Sequence, residues 1–263
     1  MKIPSQRIIS LTASITETLY ALGLEDRVAG VTDTCDYPQA VNEKPNVNCW
    51  FEPDIDKLVA LKPDLVIGSE TAHRSLKREL AGKGFETILV DPQNIDDVLA
   101  LIKDFGSWLG VNQNAAILVD GLRVRLTLLD SKVSLIPEDK RFTTCRILQW
   151  DEGEIYVAGP LSYQYDVIQR AGGLNVTGDH REGYPKVSVD QLRKWDPVVI
   201  FFCGYEKDFI LRVLNSVTGT PFQAVAADRL FRFDCGLTCR SGPRIVDMAE
   251  LLHKSLYADL ETR

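Results

Sequence analysis

The sequence lacks several features that would assign it to common classes of protein. No apolar run approaches the roughly 20 residues that a membrane-spanning helix needs. The formal net charge is −7, so the chain also lacks the basic excess typical of proteins that bind nucleic acid or anionic membrane surfaces. We therefore expect no nucleic-acid partner and no membrane insertion.

Motifs of common enzymes are also missing. The sequence has no GxSxG motif, no paired histidines, and no Gly-rich phosphate loop beyond Gly82-Lys83-Gly84, which is typical of a helix-to-strand turn. His73 and His180 are isolated in sequence. Each is expected at the surface, His73 on a loop at the end of a strand. We therefore predict that the protein is not an enzyme.

No secretion signal is recognisable in the chain as given. The N-terminus, MKIPSQRIISLTAS, enters a predicted strand directly and has no apolar segment of about 7–15 residues before a small-residue cleavage site. This predicts a cytoplasmic protein. The alternative is a periplasmic or cell-surface protein from which the signal has been removed.

A unit of helix, proline and apolar strand occurs twice, about half a chain apart. It reads EPDIDKLVALKPDLVIG at residues 52–68 and KVSVDQLRKWDPVVIFF at residues 186–202. In each copy an apolar helical pattern ends at a proline, Pro63 or Pro197, and a buried strand follows. The repetition predicts two similar α/β lobes. Because ligands of such sheets lie beyond the carboxyl ends of the strands, two facing lobes would form a ligand cleft between them.

A long stretch without helix breakers, from about residue 95 to residue 136, separates the two copies. Gly110 is expected to divide it into two helices. The second helix, residues 113–135, is long enough to join the lobes as a rigid strut, although it could instead pack against one lobe only. A polar break follows it. The predicted organisation is an N-terminal lobe at 1–110, an interlobe helix at 111–140 and a C-terminal lobe at 141–263.

Six segments in register along nearly the whole chain carry a resemblance to a known family. They are RIISLTASITETLYALGL (7–24), GVTDTCDYP (30–38), VALKPDLVIG (59–68), AGPLSYQYDVIQRAGGLN (158–175), YPKVSVDQL (184–192) and SGPRIVD (241–247). Together they resemble the periplasmic binding proteins of the cobalamin, haem and siderophore importers, and the cobalamin-binding members most closely. The resemblance implies two α/β lobes joined by one long helix. It also implies a metal chelate as ligand, a corrinoid or another tetrapyrrole.

The resemblance also implies roles for particular residues. Ligand contacts fall by position on Ser14, Thr34, Trp50, Trp150, Tyr184 and Arg240. Docking to the permease of an ABC transporter falls on Asp56 and Asp190, and the protein is expected to be a monomer. Each role has a structural alternative, in which the tryptophans belong to the core and the aspartates only stabilise the first turn of a helix. The family's tryptophan after Ile67 is absent, and residues 69–73 stand there instead.

The six cysteines support a different interpretation. Cys145 and Cys203 lie in predicted strands and are expected to be buried apolar residues. The other four lie in predicted loops at strand ends, two in each lobe: Cys35, Cys49, Cys235 and Cys239. If they converge, they form a four-thiolate site for zinc or an iron–sulfur cluster, or meet the metal of a ligand. The alternative function is thus a cytosolic metal or iron–sulfur protein. Unrelated thiols, or a local disulfide between the last two, remain open.

Overall fold

The computed structural model describes residues 5–151, 153–216 and 220–261, which form an α/β protein. The strands of these residues are β1 (Ile8–Ser10), β2 (Val28–Val31), β3 (Leu65–Ser69), β4 (Thr87–Val90), β5 (Thr143–Asp151), β6 (Glu154–Val157), β7 (Leu174–Asn175), β8 (Lys186–Ser188), β9 (Val199–Phe202) and β10 (Leu230–Arg232). The helices are α1 (Ala13–Ala21), α2 (Ile55–Ala60), α3 (Glu70–Gly82), α4 (Ile95–Leu109), α5 (Asn112–Ser134), α6 (Tyr163–Arg170), α7 (Val189–Trp195), α8 (Lys207–Asn215), α9 (Gln223–Ala226), α10 (Cys235–Thr238) and α11 (Ile245–Glu261). The predicted α/β class is confirmed.

The chain divides into two compact units. The first comprises the residues up to Pro92 together with Asp96–Arg123 and Arg240–Pro243. The second comprises Gln93–Ile95, Val124–Cys239 and the residues from Arg244 onward. The long helix α5 contributes its first half to one unit and its second half to the other. The chain also returns to the first unit at Arg240, a segment that sequence position alone assigns to the C-terminal lobe.

The first unit is built on a parallel sheet with strand order β2-β1-β3-β4. Its central strands are continuous apolar runs, and Ile8, Ile9, Val66 and Ile67 are fully buried. This is expected of parallel strands that are covered on both faces. Leu58 of α2 packs into the same core.

The second unit has a mixed sheet with strand order β10-β9-β5-β6-β8, and β7 pairs with β5 beside this path. The pairs among β10, β9 and β5 are parallel, whereas β6 pairs antiparallel with β5 and β8. Apolar patterns in the sequence predict strands at residues 144–150, 155–157, 198–202 and 230–233, which match β5, β6, β9 and β10 within one or two residues at each end. They missed β7 and β8, which have two and three residues and are too short for a period to be read.

The repeated helix–proline–strand unit is present in both sheets. In the first unit Asp54 caps α2 through its bond to the Lys57 N–H, and β3 follows Pro63. In the second unit Ser188 caps α7 in the same way, and β9 follows Pro197. In both copies the residue before the proline is a non-glycine with positive φ. The two units therefore share this element in detail.

Several element boundaries differ from the prediction and matter for the site. Helix α1 begins at Ala13, so Ser14 lies inside the first turn and is not the N-cap that its spacing to Glu17 predicts. Helix α3 begins directly after β3 and is capped by Ser69, so residues 69–73 are not a loop. Cys235 begins the short helix α10, in a stretch predicted as loop.

Helices α4 and α5 are separated at Gly110, as the sequence predicts. Gly110 has a φ of 75°, in the left-handed region that glycine adopts without strain. The two helices approach closely at Gly106, where a Cβ atom would lie 2.4 Å from that of Ala115. Among the described residues, none of the helices combines the length and the apolar character needed to cross a membrane.

Candidate functional site

Trp50, one of the predicted ligand contacts, lies in the loop before α2. Its ring lies against the ring of Phe51, with centroids 3.8 Å apart, and meets the His73 ring edge-on. Its backbone N–H donates to the Asp33 carboxylate. Trp50 is half-buried, whereas Phe51 is 59% exposed. The two ring planes are tilted by 37°, so the pair presents an angled apolar surface to solvent.

His73 holds Trp50 in place, and its predicted surface position is wrong. The residue lies in the first turn of α3 and is 1% exposed. Its Nδ1 accepts from the Ser69 N–H at 2.9 Å, so its Nε2 carries the proton and donates to the Trp50 carbonyl oxygen. Burial lowers the pKa of His73, which keeps the ring neutral. Gly68 makes room for the ring, since a Cβ there would lie 2.7 Å from Nδ1.

Arg240 forms the main ion-pair network of the first unit. Its Nη1 lies 2.8 Å from the Glu17 carboxylate and 2.7 Å from the Asp36 carboxylate. Its Nη2 donates to the Thr34 carbonyl oxygen. The Glu17 side chain is only 2% exposed, so its charge depends on this arginine. Arg240, a predicted ligand contact, is thus already paired with two carboxylates.

Ser14 and its neighbours line a small recess of the first unit whose walls are both polar and apolar. Other lining residues are Thr12, Thr18, Ser69, Asp91 and Ser241. The recess has a volume of about 40 Å³. One water needs about 10–15 Å³ of such volume, so the recess accommodates a few waters and not a chelate. The half-buried Ser14 therefore lies in a recess that is too small to hold a chelate.

The predicted contacts of the second unit differ in exposure. Tyr184 is 43% exposed, and its hydroxyl donates to the buried Gln164 at 3.0 Å, which fixes the ring at the surface. Trp150 is half-buried and packs against the core of its unit, as its structural alternative predicts. Its backbone N–H donates to the Tyr205 hydroxyl. Tyr184 is therefore the better candidate for a ligand contact.

Asp56 and Asp190 occupy equivalent positions in the repeated unit. Each is exposed and lies in the first turn of its helix, α2 or α7. Both are stabilised there by the partial positive charge of the helix N-terminus. The positions agree with a docking role and with a purely local one.

The four-cysteine site expected from the sequence is not supported. Cys35 is buried and its sulfur contacts the hydroxyls of Thr16 and Thr32, while Cys49 is exposed. In the part of the chain that the structure describes, the cysteines that gather are instead Cys203, Cys235 and Cys239, whose sulfur atoms all lie within 4.8 Å of one another. All six cysteines are free thiols.

Cys203 belongs to this cluster because of where the strand ends. Strand β9 stops at Phe202, so Cys203 lies in the turn beyond it and not within the predicted strand. Cys203 is buried as predicted, and so is Cys145 inside β5. The spacing of Cys235 and Cys239, four residues, places both on one face of α10. That spacing, together with a cysteine directly after an apolar strand, was the available sequence signal.

A buried arginine completes the cluster, which we call the thiol cluster (Arg146, Cys203, Cys235 and Cys239). Arg146 of β5 is 1% exposed, and its Nη2 lies 3.1 Å from the Cys203 sulfur and 3.5 Å from that of Cys239. The hydrogen bond from Cys239 and the charge of Arg146 lower the pKa of Cys203 well below that of an ordinary thiol, against the opposing effect of burial. Burial raises the pKa of Cys235 to about 11.

The family model described as periplasmic binding protein matches residues 8–234. The chain belongs to this family. It is 28% identical over 264 residues to an uncharacterized ABC transporter substrate-binding lipoprotein of Bacillus subtilis, covering 98% of this chain and 82% of that protein.

Two further relatives differ in the ligand that they are named for. A vitamin B12-binding protein of Yersinia pestis is 27% identical over 202 residues, covering 76% of this chain and 70% of that protein. A periplasmic heme-binding protein of Pseudomonas aeruginosa is 27% identical, with a TM-score of 0.85 over 97% of this chain and 93% of that one. The family membership confirms the predicted resemblance, and it does not distinguish between these two ligands.

Proposed function

We propose that this protein is the solute-binding component of an ABC importer and that its ligand is a corrinoid of the cobalamin type. Family membership and the names of its relatives support a binding protein for a metal chelate. The choice of a corrinoid rests on the charges of the site. The observation that carries it is the pairing of Arg240 with two carboxylates.

Corrinoids and haem differ in the charge of their peripheral groups. Haem carries two carboxylates, which need unpaired cations or well-placed donors when they leave water. Glu17 and Asp36 compensate the charge of Arg240. The exposed Asp33 adds another carboxylate in the same loop as Asp36. The neutral amide groups around a corrinoid need only hydrogen bonds, and these carboxylates can accept them.

The aromatic residues supply the apolar part of the proposed contact. Trp50 and Phe51 offer two tilted ring faces in the first unit, and Tyr184 of the second unit offers another that is fixed by its bond to Gln164. Flat faces of this kind stack on the ring of a planar chelate. Thr34 is exposed beside Asp33, and its hydroxyl, which lies 3.4 Å from that of Thr32, can form a second hydrogen bond with an amide of the ligand.

Titration with cyanocobalamin and with haem, each followed by absorbance, tests the proposal. We expect a 1:1 cobalamin complex with a Kd of about 10 μM or tighter, and haem at least about 10-fold weaker, a difference of about 1.4 kcal/mol. Trp50→Ala should weaken cobalamin binding, whereas Trp195→Phe, in the core of the second unit, should not. Tighter binding of haem, or no binding of either ligand, contradicts the proposal.

A further inference from the structure

We propose that Cys203, Cys235 and Cys239 form a binding site for one divalent thiophilic metal ion of the Zn²⁺ class, with Arg146 balancing its charge. This site lies within the second unit and shares no residue with the proposed chelate contacts. It replaces the four-cysteine arrangement expected from the sequence. The spacing of the sulfur atoms, the elements that carry them, the charge of Arg146 and the access from solvent all support this site.

The spacing of the sulfur atoms suits a single ion. With Zn–S bonds of about 2.3 Å, the sulfur atoms of a tetrahedral or trigonal site lie about 3.7–4.0 Å apart. The three sulfur atoms of the thiol cluster lie within 4.8 Å of one another, and those of Cys203 and Cys239 are 3.2 Å apart. Adjustments of under about 1 Å, reached by side-chain rotation, therefore place all three around one ion.

The elements that carry the cysteines also favour this arrangement. Cys235 begins α10 and Cys239 follows its last residue, so both project from one face of the same turn. Cys203 is presented from the turn after β9, where Gly204 has a φ of 74° and leaves the sulfur of Cys235 close by. Two ligands from one helical turn and a third from a strand end form a pre-arranged set of donors.

The charge of Arg146 explains why the ion should be divalent. The guanidinium contacts two sulfur atoms, the Ile147 carbonyl oxygen and the ring of Phe201, none of which is a carboxylate, and its Nε is buried without a partner among the described residues. A buried cation requires compensation. Three thiolates around a divalent ion carry a net charge of −1, which Arg146 neutralises. A monovalent ion would leave an excess negative charge in the same place.

The cluster is accessible to a metal ion from solvent. Cys235 and Cys239 are both exposed residues, while Cys203 lies beneath them. Three protein ligands also leave a fourth position open to water or an external donor. The site therefore has an entry path that a wholly buried set of thiols would lack.

Metal titration of the full chain tests the proposal directly. The protein is reduced with a phosphine under argon, freed of metal with a chelator, and titrated with Zn²⁺ against a chromophoric competitor and with Co²⁺ by absorbance. We expect one equivalent of either ion, thiolate-to-cobalt charge-transfer bands, and affinity lowered by at least about 100-fold in Cys235→Ser and Cys239→Ser. Cys49→Ser, which alters an exposed thiol outside the cluster, should bind as the wild type does.

The same titration can overturn the proposal. Substoichiometric zinc, a cobalt spectrum without thiolate bands, or unchanged affinity in Cys239→Ser would each exclude the site. So would quantitative disulfide formation within the cluster under the reducing conditions, detected by mass spectrometry. Cys235 and Cys239 are exposed, so their serine variants should fold, which circular dichroism checks. No chelate is present, so failure here is distinct from failure of the proposed function.

Discussion

Single residues act in this protein mainly by fixing other residues. His73 holds the backbone of Trp50, Glu17 holds Arg240, and Gln164 holds the ring of Tyr184. In each case the supporting residue is buried and the supported one lies nearer the surface. Substitution of a supporting residue should therefore alter stability or specificity without removing a ligand contact.

His73 should make stability depend on pH. Burial lowers its pKa below the ordinary 6.5, an effect larger than the opposing influence of the Trp50 carbonyl and of Asp91. Below about pH 6.5 the unfolded chain therefore takes up a proton that the folded chain does not. The free energy of unfolding then decreases as the pH is lowered, by at most about 1.4 kcal/mol per pH unit. Urea unfolding at a series of pH values should show this slope in the wild type and a smaller one in His73→Gln. Equal slopes would contradict it.

Glu17 should set the preference between neutral and anionic ligands. Glu17→Gln leaves Arg240 with Asp36 as its remaining ion-pair partner, so the charge of Arg240 becomes partly available to a ligand carboxylate. We expect haem affinity to rise relative to cobalamin affinity, and stability to fall by about 1–3 kcal/mol because a buried charge-assisted bond is lost. Glu52→Gln, at an exposed position of the same unit, is the control. An unchanged ratio of the two affinities would argue against the role given to Arg240.

At the scale of elements, the protein uses one helix–proline–strand unit twice and packs its helices through close contacts. The contact of α4 with α5 at Gly106 leaves no room for a side chain, whereas Gly121 of α5 has no atom within 4 Å of a Cβ position. Two chemically identical substitutions should therefore have opposite effects.

Gly106→Ala should destabilise the protein by about 1–3 kcal/mol, because its Cβ would overlap that of Ala115. Gly121→Ala should instead stabilise it by about 0.5–1 kcal/mol, since alanine is the better helix former and meets nothing. Urea or thermal unfolding of both variants beside the wild type measures this. A change of the same sign in both would contradict the packing described for α4 and α5.

Asp56 and Asp190 should affect docking to a permease and leave ligand binding unchanged. Reversal of either charge, in Asp56→Lys or Asp190→Lys, should weaken binding to the reconstituted permease of an ABC importer by breaking an ion pair. Asp208→Lys is a matched control, because Asp208 is also exposed in the first turn of a helix, α8. All three variants lose a similar helix-dipole contribution, about 0.3–1 kcal/mol. Equal effects of all three on docking would leave only the local role.

At the scale of the whole molecule, two α/β units each have their own sheet and core, and the chain belongs to the periplasmic binding protein family. A ligand that binds only the folded protein stabilises it by mass action. Cobalamin at 100 times its Kd should therefore stabilise the protein by about 2.7 kcal/mol, seen as a higher Tm. The shift should shrink in Trp50→Ala at the same concentration. An equal shift in both proteins would show that Trp50 makes no contact.

Local patterns in the sequence were sufficient for most elements. The apolar run at residues 87–90 predicts the strand found at Thr87–Val90, and the break at Gly110 occurs as predicted. In both copies of the repeated unit the helix ends just before its proline. Apolar periodicity and helix-ending residues act through neighbouring residues, so they can be read without knowledge of the fold. The family resemblance likewise depended on motifs that are each contiguous in sequence.

Only the tertiary structure decided which distant side chains meet. Arg240 pairs with Glu17, 223 residues away, and Cys203 meets Cys239 across 36 residues. His73 is buried because a strand passes directly into a helix and Gly68 leaves space for its ring. Sequence periodicity reports which face of an element is buried, but the order of strands in a sheet selects the neighbours on that face. The elements and the family were thus determined by the sequence itself, and the ion-pair network and the thiol cluster by packing.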